Sequence, residues 1–166
     1  IAIGLDAMNG GTTTGDNNIA IGVSAGDALT SGKNNILLGK NAGGALTTGT
    51  NNTLLGYYAG SNMDTANTNA VECVYIGSLA GRYMDDGAYN VAVGYQALDG
   101  ASGLGNAAGN NVALGHSALK ALTDGASNIA IGTNAGDAMT DNTGNVAIGT
   151  SALSTANSGE NYNVAI

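Results

Sequence analysis

Apolar residues recur along this chain in short runs, most of them preceded by asparagine and each closed by glycine except the last, with polar stretches between. The closing glycines are Gly4, Gly22, Gly39, Gly56, Gly77, Gly94, Gly115, Gly132 and Gly149. Each follows Ile, Leu or Val, and alanine stands three residues later in every case, from Ala7 and Ala25 through Ala152. Successive glycines are 18, 17, 17, 21, 17, 21, 17 and 17 residues apart. Runs this short cannot make a helix, and their β-branched content suits a strand. A second apolar position follows seven residues after the glycine, as Leu29, Leu46, Met63, Met84, Leu122 and Met139. Two apolar clusters per repeat, separated by glycine-containing corners, describe one coil of a parallel β-solenoid, or β-roll. Stacked at about 4.8 Å, about nine coils make a rod on the order of 45 Å long. The fold class is therefore all-β, and residues 1–166 form a single repeat-built unit. The chain opens and stops inside repeats, the pattern expected of a segment from a longer fibre.

Strand periodicity sorts the apolar run into two faces. The large residues one and three before the glycine are expected to line the coil interior. The residue two before it is then expected outside, in a column of Ala20, Leu37, Leu54, Tyr75, Ala92, Ala113, Ala130 and Ala147. That column carries no charge, and small side chains let another backbone approach, so it is the predicted interface of a homo-oligomer. Asn18, Asn35, Asn52, Asn90, Asn111, Asn128 and Asn145 stand four residues before the glycine. Stacking predicts that their amides hydrogen-bond along the rod as a structural ladder. Cys73 takes this slot in one coil and is expected to be a small, inert substitute. The two longer coils place insertions within 61–73 and 99–110. Such loops project from similar edges, as binding loops of solenoids do or as tolerated surface slack.

Composition narrows the function. Twelve acidic against four basic residues give a net charge of −8 in 166 residues. This excludes the basic footprint of nucleic-acid binding and attraction to anionic lipid. No apolar run is long enough to insert in a membrane. The single cysteine cannot form an internal disulfide. Gly22-Val23-Ser24-Ala25-Gly26 fits a hydrolase nucleophile elbow, but Asn41, Tyr58 and Asn134 replace Ser24 in other repeats, and the helix context is missing. Gly103-Leu104-Gly105-Asn106-Ala107-Ala108 fits a dinucleotide fingerprint but lies in an insertion. His116 directly follows its glycine, at a position held elsewhere by Val23, Lys40, Tyr57 or Thr133. A lone histidine on a β-helix is a remote pointer to a hexapeptide-type acyltransferase, but neither 17 nor 21 residues divides into six-residue sides. No catalytic, cofactor or metal residues are assigned, and the chain is expected not to be an enzyme.

The phrases Asn18-Ile19-Ala20-Ile21-Gly22, Asn128-Ile129-Ala130-Ile131-Gly132 and Asn145-Val146-Ala147-Ile148-Gly149 resemble head repeats of trimeric autotransporter adhesins. Asn90-Val91-Ala92-Val93-Gly94-Tyr95-Gln96-Ala97-Leu98 is similar to repeats in bacteriophage tail-fibre and related surface-fibre proteins. The resemblance covers essentially the whole chain, although these coils are longer than the usual adhesin coil. It implies a left-handed β-roll, three chains around one axis, and attachment or display outside the cell or on a virion. A host-surface glycan or protein receptor is the implied partner. The alternative expectation is a carbohydrate-binding solenoid in which Tyr57, Tyr58 and Tyr95 contact the ligand. An ice-binding face is the weaker version, because its threonine column is interrupted by Asp64 and Asp85.

Overall fold

Short β-branched runs at fixed intervals fold as the periodicity requires. The computed structural model describes residues 1–63, 70–102 and 106–166. Ten parallel strands form one sheet in chain order: β1 (Ala2–Ile3), β2 (Ile19–Ile21), β3 (Ile36–Leu38), β4 (Thr53–Leu55), β5 (Val74–Ile76), β6 (Val91–Val93), β7 (Val112–Leu114), β8 (Ile129–Ile131), β9 (Val146–Ile148) and β10 (Val164–Ala165). Equivalent repeat positions pair throughout, for example Ala20 with Leu37 and Tyr75 with Ala92. We number each coil by the strand that opens it. The sheet is only one wall. Hydrogen bonding to neighbouring coils continues around the turns, with Ser24 N donating to Leu5 O and Ala28 N donating to Gly44 O. The perimeter thus satisfies its backbone from coil to coil, which explains a stable fold with little regular secondary structure.

Glycine and alanine in the repeat have separate physical causes. Each closing glycine has a φ between 124° and 140°, outside the reach of ordinary side chains. A Cβ on Gly22 would also sit 2.5 Å from Gly39 O in the next coil, and the same approach recurs along the column. Three residues on, Ala25 N donates to Gly22 O to close the corner turn, and the Ala25 methyl is fully buried. Larger side chains have no room where the chain doubles back. Alanine is therefore dictated by the narrow interior at that corner.

The strand faces are reversed from the expectation. Ala20, Leu37, Leu54, Tyr75, Ala92, Ala113, Ala130 and Ala147 are all fully buried inside the coil, so none can serve as an interface. Their aliphatic neighbours point outward, with Ile21 40% and Ile131 37% exposed. Alternation correctly identified which residues share a face, but size misidentified the inner one. The interior is also filled by the corner alanines, Leu29, Leu46, Met63, Met84, Leu122 and Met139, and the buried asparagines, leaving limited room at the strand.

A reciprocal size rule tunes this interior. Leu37, Leu54 and Tyr75 occur in coils that have Gly43, Gly60 and Gly81 four residues after the closing glycine, whereas Ala92 and Ala113 occur with buried Leu98 and Leu119. Where both positions are small, the neighbouring coil fills the space: a Cβ on Gly26 would lie 2.6 Å from Leu37 Cδ1. The result is near-constant interior volume, as close packing demands.

Candidate interaction surfaces

Asparagine offers both donors and an acceptor on a short side chain, so identical copies can link along a stack. Asn35 shows the full pattern. Its backbone N and Nδ2 donate to Asn18 Oδ1 at 2.9 and 3.0 Å, and Nδ2 also donates to Gly49 O at 2.9 Å. Its Oδ1 accepts from Asn52 N and Nδ2. The same arrangement links Asn90, Asn111, Asn128 and Asn145 and continues to Asn163. These side chains bind their own fold and present nothing to a ligand. A second ladder lies on the exposed surface, where Asn17 Nδ2 donates to Asn34 Oδ1 and Asn34 Nδ2 donates to Asn51 Oδ1.

Cys73 interrupts the buried ladder. Its backbone N still donates to Asn52 Oδ1 at 3.0 Å, and its Sγ donates to Gly87 O at 3.4 Å. It cannot offer Asn90 an amide oxygen. The Tyr75 hydroxyl supplies an acceptor instead, 3.5 Å from Asn90 Nδ2. Gly81 makes this possible, because a Cβ there would overlap the Tyr75 ring. Burial pushes the Cys73 thiol above its ordinary pKa and the Tyr75 phenol well above its own. Cys73 is consequently a protonated, enclosed thiol and a poor nucleophile.

The outer strand face presents two columns, aliphatic except at Thr53. One contains Ile19, Ile36, Thr53, Val74, Val91, Val112, Ile129 and Val146; the other contains Ile21, Leu38, Leu55, Ile76, Val93, Leu114, Ile131 and Ile148. All are half-buried or exposed, and none is charged. Taken as a strip one strand wide along the stack, this is on the order of 400 Å² of continuous apolar surface. It falls within the size of the largest patches that monomers leave uncovered, which are often functional.

Beyond the glycine corner, side chains in successive coils form another axial column. Lys40, Tyr57, Ser78, Tyr95 and His116 directly follow their glycines. Their register is held by Tyr58 N to Lys40 O, Leu79 N to Tyr57 O, Gln96 N to Ser78 O and Ser117 N to Tyr95 O. Tyr57 and Tyr95 are 51% and 45% exposed, while Tyr58 is half-buried with its ring 4.5 Å from that of Tyr57. Tyr95 and His116 rings approach to 5.3 Å. Arg82 makes a bidentate pair with Asp99, both bonds at 2.9 Å, and its guanidinium lies 4.4 Å from the Tyr83 ring centre. Gln96 Nε2 also donates to Asp99. Burial raises the Asp99 carboxyl above its usual range, against the opposing pull of Arg82.

The remaining motif residues are dispersed. Ser24 and His116 lie five coils apart, about 24 Å along the stack, so they do not form a nucleophile–base pair. The hydroxyls of Thr30 and Thr123 donate to the carbonyls of Thr47 and Thr140, tying coils together. Among the described residues, no group of three or more His, Cys, Asp and Glu is arranged to hold a metal ion. No described helix is long and apolar enough to cross a membrane. The two insertions return to register at Ala70 and Ala108, whose carbonyls accept from Asn52 and Asn90 at 2.9 and 2.7 Å. Their residues 64–69 and 103–105, including Asp64 and the first half of the Gly103–Ala108 motif, lie outside the described residues. The packing reciprocity and the Cys73–Tyr75–Gly81 unit were missed by reading columns separately; their signal lies in paired substitutions within a coil. Comparisons with protein-family models, curated proteins and solved structures found no match.

Proposed function

We propose that this chain is a structural segment of an extracellular or virion-associated fibre, three copies of which associate through the outer aliphatic strand face. The observation supporting this reading is the uncharged pair of columns on the outside of the sheet, built of Ile, Val and Leu except at Thr53. Covering that surface removes apolar area from water without burying a charge. The self-bonding coils provide a stiff support, and the resemblance to adhesin and tail-fibre repeats supports three-fold assembly and a role in attachment. Isologous or cyclic contacts use the same face on every copy, so the columns need no separate receptor surface.

The test is molar mass in solution by light scattering coupled to size exclusion. The unaltered chain is expected at three times its 16.1 kDa mass. Ile76→Asp combined with Ile131→Asp is expected at the single-chain mass, with its circular dichroism spectrum retained. A monomeric unaltered chain throughout the micromolar range overturns the reading.

A further inference from the structure

Aromatic and basic side chains are scarce in this molecule, so their concentration on one side demands an explanation. The five residues after the closing glycine in coils 3 to 7 contain Lys40, Arg82 and Lys120 against the single acid Asp99. Three positive charges minus one give a local balance of +2 in a chain whose total is −8. The same segment carries Tyr57, Tyr95 and His116 in its exposed column. The small Ser78 occupies the rung between Tyr57 and Tyr95 and is half-buried. Two rungs separate the tyrosines, about 9.6 Å at the parallel-strand spacing. The resulting notch has aromatic shoulders and a hydroxyl between them. Arg82, Asp99 and Gln96 form a hydrogen-bonded polar shelf beside it.

We propose that this notch binds an acidic oligosaccharide lying along the rod, with one sugar ring over Ser78. A pyranose has an apolar face that packs on tyrosine and hydroxyls that exchange hydrogen bonds with planar polar side chains. Its carboxylates match the locally positive balance, while the acidic remainder of the chain disfavours anions elsewhere. Rungs repeated along the axis suit a ligand that is itself an extended repeating polymer. The Arg82–Asp99 pair fixes the shelf before binding, reducing the ordering cost of association. This inference goes beyond the assembly reading and rests on different residues.

The test uses the full chain in isothermal titration calorimetry against tetragalacturonate, a hyaluronan tetrasaccharide and a sialic-acid tetramer, with cellotetraose and chitotetraose as neutral counterparts. At least one acidic probe is expected to bind at least tenfold more tightly than either neutral one. Tyr95→Ala and Ser78→Tyr should each weaken that binding at least tenfold, Lys40→Ala by about threefold, and exposed Tyr162→Ala should leave it unchanged. Thermal melts and molar mass of the same samples separate loss of binding from loss of fold or assembly. Absence of binding to all five probes at millimolar concentration overturns the site. Equal binding to neutral and acidic probes overturns its charge selectivity, and retained binding in Ser78→Tyr overturns the placement over the notch.

Discussion

Coil 3 and coil 5 meet the same packing problem in different ways. In coil 3, Asn35 links the coils before and after it, while Leu37 fills the interior opposite Gly43. In coil 5, Cys73 leaves the outgoing amide link unmade, and Tyr75 fills the interior while presenting its hydroxyl to Asn90. Gly81 accommodates the larger ring. The comparison shows that the repeat conserves interior volume and satisfied polar groups, while tolerating changes in which residues provide them. A break at one position becomes tolerable when two other positions change with it.

The sharpest way to probe this difference is to remove the ladder residue from each coil. Asn35→Ala removes the Oδ1 that accepts from both Asn52 N and Asn52 Nδ2, costing about 3–5 kcal/mol because these donors are buried in the ladder region. Cys73→Ala removes only the weak hydrogen bonds of a thiol and should cost about 1 kcal/mol. Urea denaturation followed by far-ultraviolet circular dichroism measures both. Equal losses would mean that the amide link contributes no more than the thiol, dissolving the distinction between the coils.

The next test concerns the compensation itself. Tyr75→Ala opens space beside Gly81 and deprives Asn90 Nδ2 of its phenolic acceptor, with an expected loss of about 3–5 kcal/mol. Adding Gly81→Leu recreates the Ala-and-Leu combination used by Ala92 with Leu98 and should recover about half of that loss. Adding Cys73→Asn then restores the amide link and should recover more. The coupling among the three substitutions is read from a double-mutant cycle for each pair. Additive behaviour in every cycle would separate Cys73, Tyr75 and Gly81 into unrelated variations.

A pH titration distinguishes the same two coils without changing volume. The Cys73 thiol and Tyr75 phenol have raised folded-state pKa values, with burial as the leading cause for each. Their neutral forms are therefore favoured by folding. The associated stability is fully present below the ordinary thiol value of 9.0 and is lost as pH rises through the folded values, with the phenol joining above its ordinary 10.0. Melting temperature should thus fall more steeply above pH 9 in the unaltered protein than in the Tyr75→Ala, Gly81→Leu, Cys73→Asn variant. Parallel curves would locate the alkaline loss elsewhere.

These outcomes bear on how much of the molecule could be read from residues alone. The coil period, the strand sites and the buried asparagine ladder were legible because each depends on a spacing that repeats. The orientation of the strand was not legible from size. A globular core usually selects large residues for its interior, whereas here Ala25 and its equivalents bring the opposing wall close, and the large Ile and Val side chains are turned outward. Tyr75 was misassigned to the outside for the same reason. Its role depends on Cys73 and Gly81 together, a relation invisible when each column is followed separately. The exposed Tyr57 and Tyr95 positions were recognisable, but their notch required the intervening rung and the nearby Arg82–Asp99 pair.

The smallest expected effect contrasts the corners instead of the interiors. The residue two after the closing glycine is left-handed in every coil, including Asn41 at φ 56° and Leu79 at φ 62°. Asparagine enters that region more readily than leucine because its side chain supports local hydrogen bonding. Leu79 is half-buried, so exchanging it also gives up some apolar contact. Leu79→Asn should therefore stabilise coil 5 by only about 0.5 kcal/mol, the backbone gain slightly exceeding the lost contact. Asn41→Leu should destabilise coil 3 by about 1 kcal/mol. Thermal melts of the reciprocal pair test the sign: stabilisation by Asn41→Leu would show that apolar contact at this corner outweighs its left-handed geometry.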